Sequence, residues 1–442
     1  MRRLGTLLLA FALAACATSK PAPEPAPTPV PEPNVPAGTP VADVPPAPPP
    51  DPTPAVLSLE DVIRLVPSAP VNRAARAAVV RAEGNLTQAG LSPNPYLMLG
   101  ADRWPIDDLG EGPLRYGIRA YQQIETAGKR SKRAAVAGQG VVAAEWEERI
   151  VNITIARTAA GAHQDAIAAE RLYVVRERAY RTGGELLTLV EYMVDAGRER
   201  EAALPPIRAR VGRLRIAMEE EKARLRRALA DLEAVLSLPA GSLKGVSGEL
   251  LLPVGLPTDA GEDSPTIGKE RAAIDAERAK AASAETGRYP DVKVGIGYEY
   301  LDLLETGTLN SFGVYLEVPL PFFDRRQGDV RAAVAAARRA EQLTDAERQR
   351  VASEYAMTLD LIRSAAANLA TWRRDVIVAL NRDLELREAA YEAGRTTERE
   401  VLTALLAAWE ADTAAIAEER SLSALTLDAL ALLGRAPEEW LK

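Results

Sequence analysis

Val292-Lys293-Val294-Gly295-Ile296-Gly297-Tyr298-Glu299-Tyr300 sets an apolar side chain against a small or charged one at every step. That period of two marks a strand with one dry and one wet face. A partner follows the turn-rich stretch Asp302–Asn310: Phe312, Val314, Leu316 and Val318 alternate with Gly313, Tyr315 and Glu317. The same pattern occurs earlier, where Leu114, Tyr116, Ile118 and Ala120 alternate with Arg115, Gly117, Arg119 and Tyr121, preceded by Tyr96–Trp104 across Pro105–Pro113. Two β-hairpins are therefore expected. Strands of about ten residues, apolar on one side and polar on the other, suit a transmembrane β-barrel, in which closure removes every unpaired edge. Four strands cannot close a barrel alone, so copies would have to pool them. A small soluble sheet packed on helices would alternate in the same way.

Everything around the hairpins reads as helix. The mature chain is rich in Ala, Leu, Arg and Glu, with prolines confined to a few points. Ser58-Leu59-Glu60-Asp61 carries a helix-start signal, and helical composition runs to Gly90 with a break at Pro67–Pro70. From Lys129 to Tyr192 no proline occurs, which allows one helix of roughly 95 Å. A second proline-free run spans Asp324–Ala436, with Gly394 as its clearest interior break.

The halves repeat. Gly90 and Gly287, Pro93 and Pro290, and Gly197 and Gly394 are each 197 positions apart, the last pair in the matching contexts Asp195-Ala196-Gly197-Arg198 and Glu392-Ala393-Gly394-Arg395. Lys129-Arg130 falls on Arg325-Arg326 one position out of that register. Each half is read as helix, hairpin, long helix, tight turn and return helix. The expected boundaries are 1–15 signal peptide, 16–54 proline-rich linker, 55–240 first repeat, 241–265 connector, 266–437 second repeat and 438–442 tail. Gly197 and Gly394 sit where a hairpin of long helices needs a residue that tolerates positive φ.

Composition narrows the function. Arg2 and Arg3 precede an apolar stretch, Leu4–Ala15, too short to span a bilayer, as in a secretory signal. Leu13-Ala14-Ala15-Cys16 resembles a bacterial lipobox, which would place a covalent lipid on Cys16, the single cysteine of 442 residues. Roughly half of 21–54 is proline, a tether composition. The net charge of −8 opposes nucleic acid as a partner. His163 is the only histidine and reads as a packed or surface residue, and no Cys/His cluster, P-loop or nucleophile arrangement occurs. Neither an enzyme nor a metal or other cofactor is expected.

Gln88-Ala89-Gly90-Leu91-Ser92-Pro93-Asn94-Pro95, Gln123–Arg130 (QIETAGKR) and Val318-Pro319-Leu320-Pro321-Phe322-Phe323-Asp324-Arg325 resemble, in that order, the strand junctions of the TolC-type outer membrane efflux protein family. The similarity spans Leu57–Leu433, and Glu125–Arg130 is closest in style to outer components of heavy-metal efflux. The resemblance implies a mainly α fold with a small β part. It implies a homotrimer whose long antiparallel helical hairpins form a periplasmic α-barrel and whose four strands per chain share a 12-stranded outer membrane β-barrel. The implied function is passive conduction as the exit duct of a tripartite efflux or secretion system, alongside an adaptor protein and an inner membrane transporter. Localisation would be the outer membrane, lipid-anchored, with the helices in the periplasm.

By the same resemblance, the turns at Asp195–Arg200 and Glu392–Glu400 form the periplasmic mouth. Glu400, in Glu400-Val401-Leu402, is the candidate for an acidic ring at the aperture, and Glu201 is its weaker counterpart because Pro205-Pro206 follow it. Asp195, Gly197, Arg198, Gly394 and Arg395 are candidates for the adaptor-docking turns. With the apolar strand faces turned to lipid, Arg115, Arg119, Lys293 and Glu299 face the barrel lumen, and Trp104, Tyr116 and Tyr298 contribute to an aromatic girdle. A solvated helix face also accounts for Glu400, Arg198 and Arg395. The rival is a periplasmic adaptor lipoprotein, which would show one helical hairpin flanked by lipoyl-like β domains.

Overall fold

The computed structural model describes residues 55–103, 114–253, 255–302 and 307–441. The signal, Cys16, the linker and Trp104 lie outside the described residues. In chain order the elements are β1 (Val56–Ser58), α1 (Leu59–Leu65), α2 (Pro70–Ala89), β2 (Tyr96–Arg103), β3 (Leu114–Ile124), α3 (Lys129–Asp195) and α4 (Leu204–Leu236). The second half continues with β4 (Gly245–Ser247), α5 (Pro265–Thr286), β5 (Val292–Asp302), β6 (Thr308–Glu317), α6 (Gln327–Thr371), α7 (Ile377–Glu392) and α8 (Glu398–Leu432). A π turn at Trp372–Val376 joins α6 to α7.

Local chemistry sets most of these limits. Ser58 starts α1 through a capping box: its hydroxyl accepts from the Asp61 amide at 3.2 Å while its own amide donates to the Asp61 carboxylate at 3.1 Å. Pro67 sits in the short 3₁₀ turn between α1 and α2, and Pro70 takes the first position of α2, where its missing N–H costs nothing. The 67-residue α3 is about 100 Å long. It buries Ala156, Ala159, Ala160, Ala166, Ala168 and Ala169 near its middle, small side chains that let α4 and α8 approach closely. Pro205 and Pro206 do not interrupt the first return helix, because α4 starts at Leu204 and places them in its first turn.

The core lies at mid-length of the helices. Leu57, Val62, Ile153, Leu232 and Trp440 belong to one cluster, and Ile267, Val351, Tyr355, Ile362 and Leu422 to a second. A smaller third, around Ala179, Leu214 and Trp409, lies nearer the helical turns. β1 pairs in parallel with β4, so the start of the described chain is clipped to the segment between the halves. His163 is fully buried here. Its Nε2 is 3.1 Å from the Leu57 carbonyl oxygen, and Gln164 beside it accepts from the Leu251 amide at 2.7 Å and the Ser423 hydroxyl at 3.0 Å. Burial pushes the His163 pKa below the usual histidine value, against the opposing hydrogen bonds to backbone at Leu57 and Ser247.

The repeat holds at the turns but not where Lys129-Arg130 was matched to Arg325-Arg326. Lys129 and Arg130 open α3 after Gly128 in the left-handed conformation (φ 68°). Arg326 is itself the left-handed cap of α6 (φ 59°), and Arg325 precedes it. The two basic pairs occupy different positions around their caps, and the caps, 128 and 326, are the equivalent residues.

Candidate functional site: the sheet faces and the helical turns

The four long strands form one antiparallel sheet in the order β2-β3-β5-β6. Register sorts its faces. Leu99, Ile118, Tyr298 and Phe312 are successive cross-strand partners, as are Leu97, Ala120, Ile296 and Val314. One face is thus continuously apolar and bare: Phe312 is 87% exposed and Val314 81%. Contiguous apolar surface on this scale implies a non-aqueous neighbour. Tyr116 and Tyr298 lie on it, beside Tyr300 and Phe312.

The opposite face carries Arg115, Arg119, Lys293 and Glu299 together. Both guanidiniums converge on the Glu299 carboxylate, to which the Tyr315 hydroxyl also donates at 3.3 Å. Lys293 pairs with its cross-strand partner Glu317 at 2.8 Å. Tyr96 stacks on Tyr121 with ring centroids 5.1 Å apart, and Tyr121 lies 6.1 Å from Tyr315. These rings lie low because the floor is glycine. A Cβ on Gly313 would come within 2.9–3.1 Å of Tyr315, and one on Gly297 within 2.8 Å of both Tyr315 and Arg119. The alternation was visible in the sequence; that its glycines seat tyrosines was not.

At the helical end of the sheet, the QIETAGKR stretch joins strand to helix. Asp291, just before β5, accepts from Lys129 Nζ at 2.7 Å, Gln123 Nε2 at 3.1 Å and the Thr126 amide at 3.2 Å. Burial raises its pKa, and these donors more than reverse that, holding the carboxyl below the usual range. Arg133 pairs with Glu125 and donates to the carbonyls of Ala89 and Leu91 at 2.9 and 3.0 Å. Asp291 is absent from the sequence-derived candidates, since only its position across from the first hairpin's exit gives it this role.

At the far end, both turns use the same hydrogen bonds. The Gly197 amide donates to Val194 O at 2.9 Å and Arg198 to Met193 O at 2.8 Å. Gly394 donates to Tyr391 O at 2.8 Å and Arg395 to Ala390 O at 2.8 Å. Gly197 and Gly394 have φ of 68° and 69°, as this helix-ending motif requires. Asp195, Arg198 and Arg395 are exposed around them. The turns touch, with the Tyr391 hydroxyl 3.9 Å from Met193 Sδ.

Glu400 lies in the first turn of α8, half exposed, with its Oε2 taking the Thr396 hydroxyl at 2.5 Å and Arg387 at 3.6 Å. Glu201 is exposed at the start of a 3₁₀ turn. The repeat does not pair these two acids. Position 201 corresponds to Glu398, which accepts from the Tyr391 hydroxyl at 3.0 Å, and position 400 to Ala203.

Among the described residues no helix is long and apolar enough to cross a membrane, and no group of three or more His, Cys, Asp or Glu is placed to hold a metal. An adaptor built on one hairpin between β domains does not match two repeated hairpins sharing one sheet.

Known proteins agree with this architecture. The chain is 24% identical over 364 residues to the cobalt-zinc-cadmium resistance protein CzcC of Cupriavidus metallidurans, covering 79% of this chain and 83% of that one. It is 28% identical over 270 residues to the nickel-cobalt-cadmium resistance protein NccC of Alcaligenes xylosoxydans xylosoxydans, covering 59% and 60%. The crystal structure of the Campylobacter jejuni CmeC outer membrane channel superposes with a TM-score of 0.70 at 16% identity, over 85% of each chain, which shows the shared fold. Residues 256–434 match the model of the family described as Outer membrane efflux protein.

Proposed function

We propose that this chain works as a homotrimer, the exit duct of a tripartite system that carries heavy-metal cations from an inner membrane transporter and its adaptor out of the cell. The observation that carries this reading is the sheet: apolar on one face, charged on the other and open at both edges, it is one part of a closed barrel. Three copies would supply twelve strands, with Arg115, Arg119, Lys293 and Glu299 lining the lumen. The metal cargo rests on the likeness to CzcC and NccC. The chain itself needs no resident metal, since a conduit has only to let cargo pass.

The turns at Gly197 and Gly394 are the proposed docking end, with Asp195, Arg198 and Arg395 as contacts to the adaptor. Glu400 is the proposed aperture acid, three copies of which concentrate cations; Glu201 belongs at the rim. The boundaries 1–15, 16–54, 55–240, 241–265, 266–437 and 438–442 divide the chain accordingly. The lipobox-like Leu13-Ala14-Ala15-Cys16 makes Cys16 the proposed site of a lipid anchor.

The test is reconstitution. A detergent-extracted trimer that forms pores in planar bilayers is expected, with block by multivalent cations weakened in Glu400→Ala. A monomer without conductance would end the duct reading, and unchanged block would remove Glu400 from the aperture.

A further inference from the structure

The two edge strands differ at the helical end of the sheet. β6 runs out into Val318–Phe323, where Leu320 is 65% exposed, Phe322 67% and Phe323 94%. This segment is an ordered turn: Gln327 Nε2 donates to the Phe323 carbonyl at 3.3 Å and Arg325 Nε to the Pro321 carbonyl at 3.3 Å. It therefore holds its aromatic rings out into solvent in a fixed place. β2, in contrast, begins beside a hollow of about 710 Å³ whose lining includes Ser92, Pro93, Asn94, Pro95, Gln122 and Arg130.

Strand direction brings the two together. β6 runs toward the helices and β2 away from them. When β6 of one copy pairs antiparallel with β2 of the next, the chain leaving β6 comes alongside the chain approaching β2. Charge agrees with this. Arg130 donates to Ser92 Oγ at 2.8 Å and meets no carboxylate among the described residues. Asp324 accepts from its own turn, the Arg326 amide at 2.9 Å, and meets no cationic side chain there.

We propose that the Leu320–Asp324 segment of one copy seats in the hollow of the next, with Phe323 against the rings of Pro93 and Pro95 and the Asp324 carboxylate on Arg130. The occupant is a second copy of this chain, and the seat locks the barrel to the helical body at each junction between copies. The proposal rests on the trimeric duct reading and adds to it which residues meet.

The experiment is disulfide trapping in the full-length chain carrying Asn94→Cys and Phe323→Cys, with each single variant as control. Oxidation is expected to give a covalent ladder up to trimer on denaturing gels in the double variant and none in the singles. A preparation that is trimeric by light scattering yet gives no ladder would overturn the seat and leave the duct standing. A preparation with no trimer would overturn both. In Phe323→Trp, lipids brominated on their acyl chains are expected to quench the tryptophan emission no more than that of the parent chain. Strong added quenching would place the segment in lipid and refute the seat.

Discussion

Replacing Gly313 by Ala tests the inlaid tyrosine directly. All three atoms nearest the new methyl belong to Tyr315, at 2.9, 3.0 and 3.1 Å, whereas carbon contacts settle at about 3.5–4.0 Å. The ring must therefore lift by about half an ångström or more. That lift stretches the Tyr315 hydroxyl's 3.3 Å bond to Glu299 and moves the ring from Arg119, whose guanidinium sits 4.9 Å from its centre. Overpacking of this kind costs about 1–3 kcal/mol per chain, and it raises the ring from the charged face. Gly313→Ala is expected to lower the melting temperature of the purified assembly and reduce its single-channel conductance. Adding Tyr315→Ala removes the clash, so a double-mutant cycle should return a coupling of about 1–3 kcal/mol. An unchanged melting temperature in Gly313→Ala, or no relief in the double variant, would refute the reasoning. Gly295→Ala is the contrast: its methyl would also meet the Ala120 carbonyl at 2.9 Å, and no side-chain change relieves that.

Gly197→Ala and Gly394→Ala force a side chain into φ near +70° and should each cost about 1–2 kcal/mol, seen as faster amide exchange confined to the turns; uniform exchange would contradict this. Glu419, whose side chain is 9% exposed, receives Arg171 at 2.7 Å and Arg373 at 2.5 Å. Glu419→Ala should cost about 2 kcal/mol and exceed either arginine removal, because each of those leaves one partner; equal losses in thermal melts would be the contrary result. The depressed His163 pKa gives stability that is full above the unfolded value of about 6.5. It is lost as pH falls through the lower folded value. Melting temperature should drop between neutral and acidic pH, less so in His163→Gln; parallel slopes would assign the acid sensitivity elsewhere.

What the sequence made legible was periodic or punctuated. The run free of proline from Lys129 to Tyr192 became α3, Lys129–Asp195, because nothing in it opposes the helix. The alternation around Val292–Tyr300 became β5, because a two-faced strand needs that pattern. Three features had no comparable signal. β1 and β4 are three residues each, too short for a period to register. The π turn at Trp372–Val376 contains neither glycine nor proline; Arg373 within it turns toward Glu419, a tertiary contact. Asp291 acts through residues of the other half, so only the folded sheet brings its donors together.

The bare apolar face of the sheet also bears on how the assembly is made. Phe312, Val314 and Leu316, all more than two-thirds exposed, would drive aggregation of any copy whose sheet formed early in water. The edges β2 and β6 would invite wrong partners in the same interval. The helical body carries cores of its own, and its exposed apolar side chains, Ile216, Met357 and Val378 among them, are each at most about 60% exposed. The helical body can thus fold on its own cores, whereas the apolar sheet face gains cover only once membrane and neighbouring strands are present.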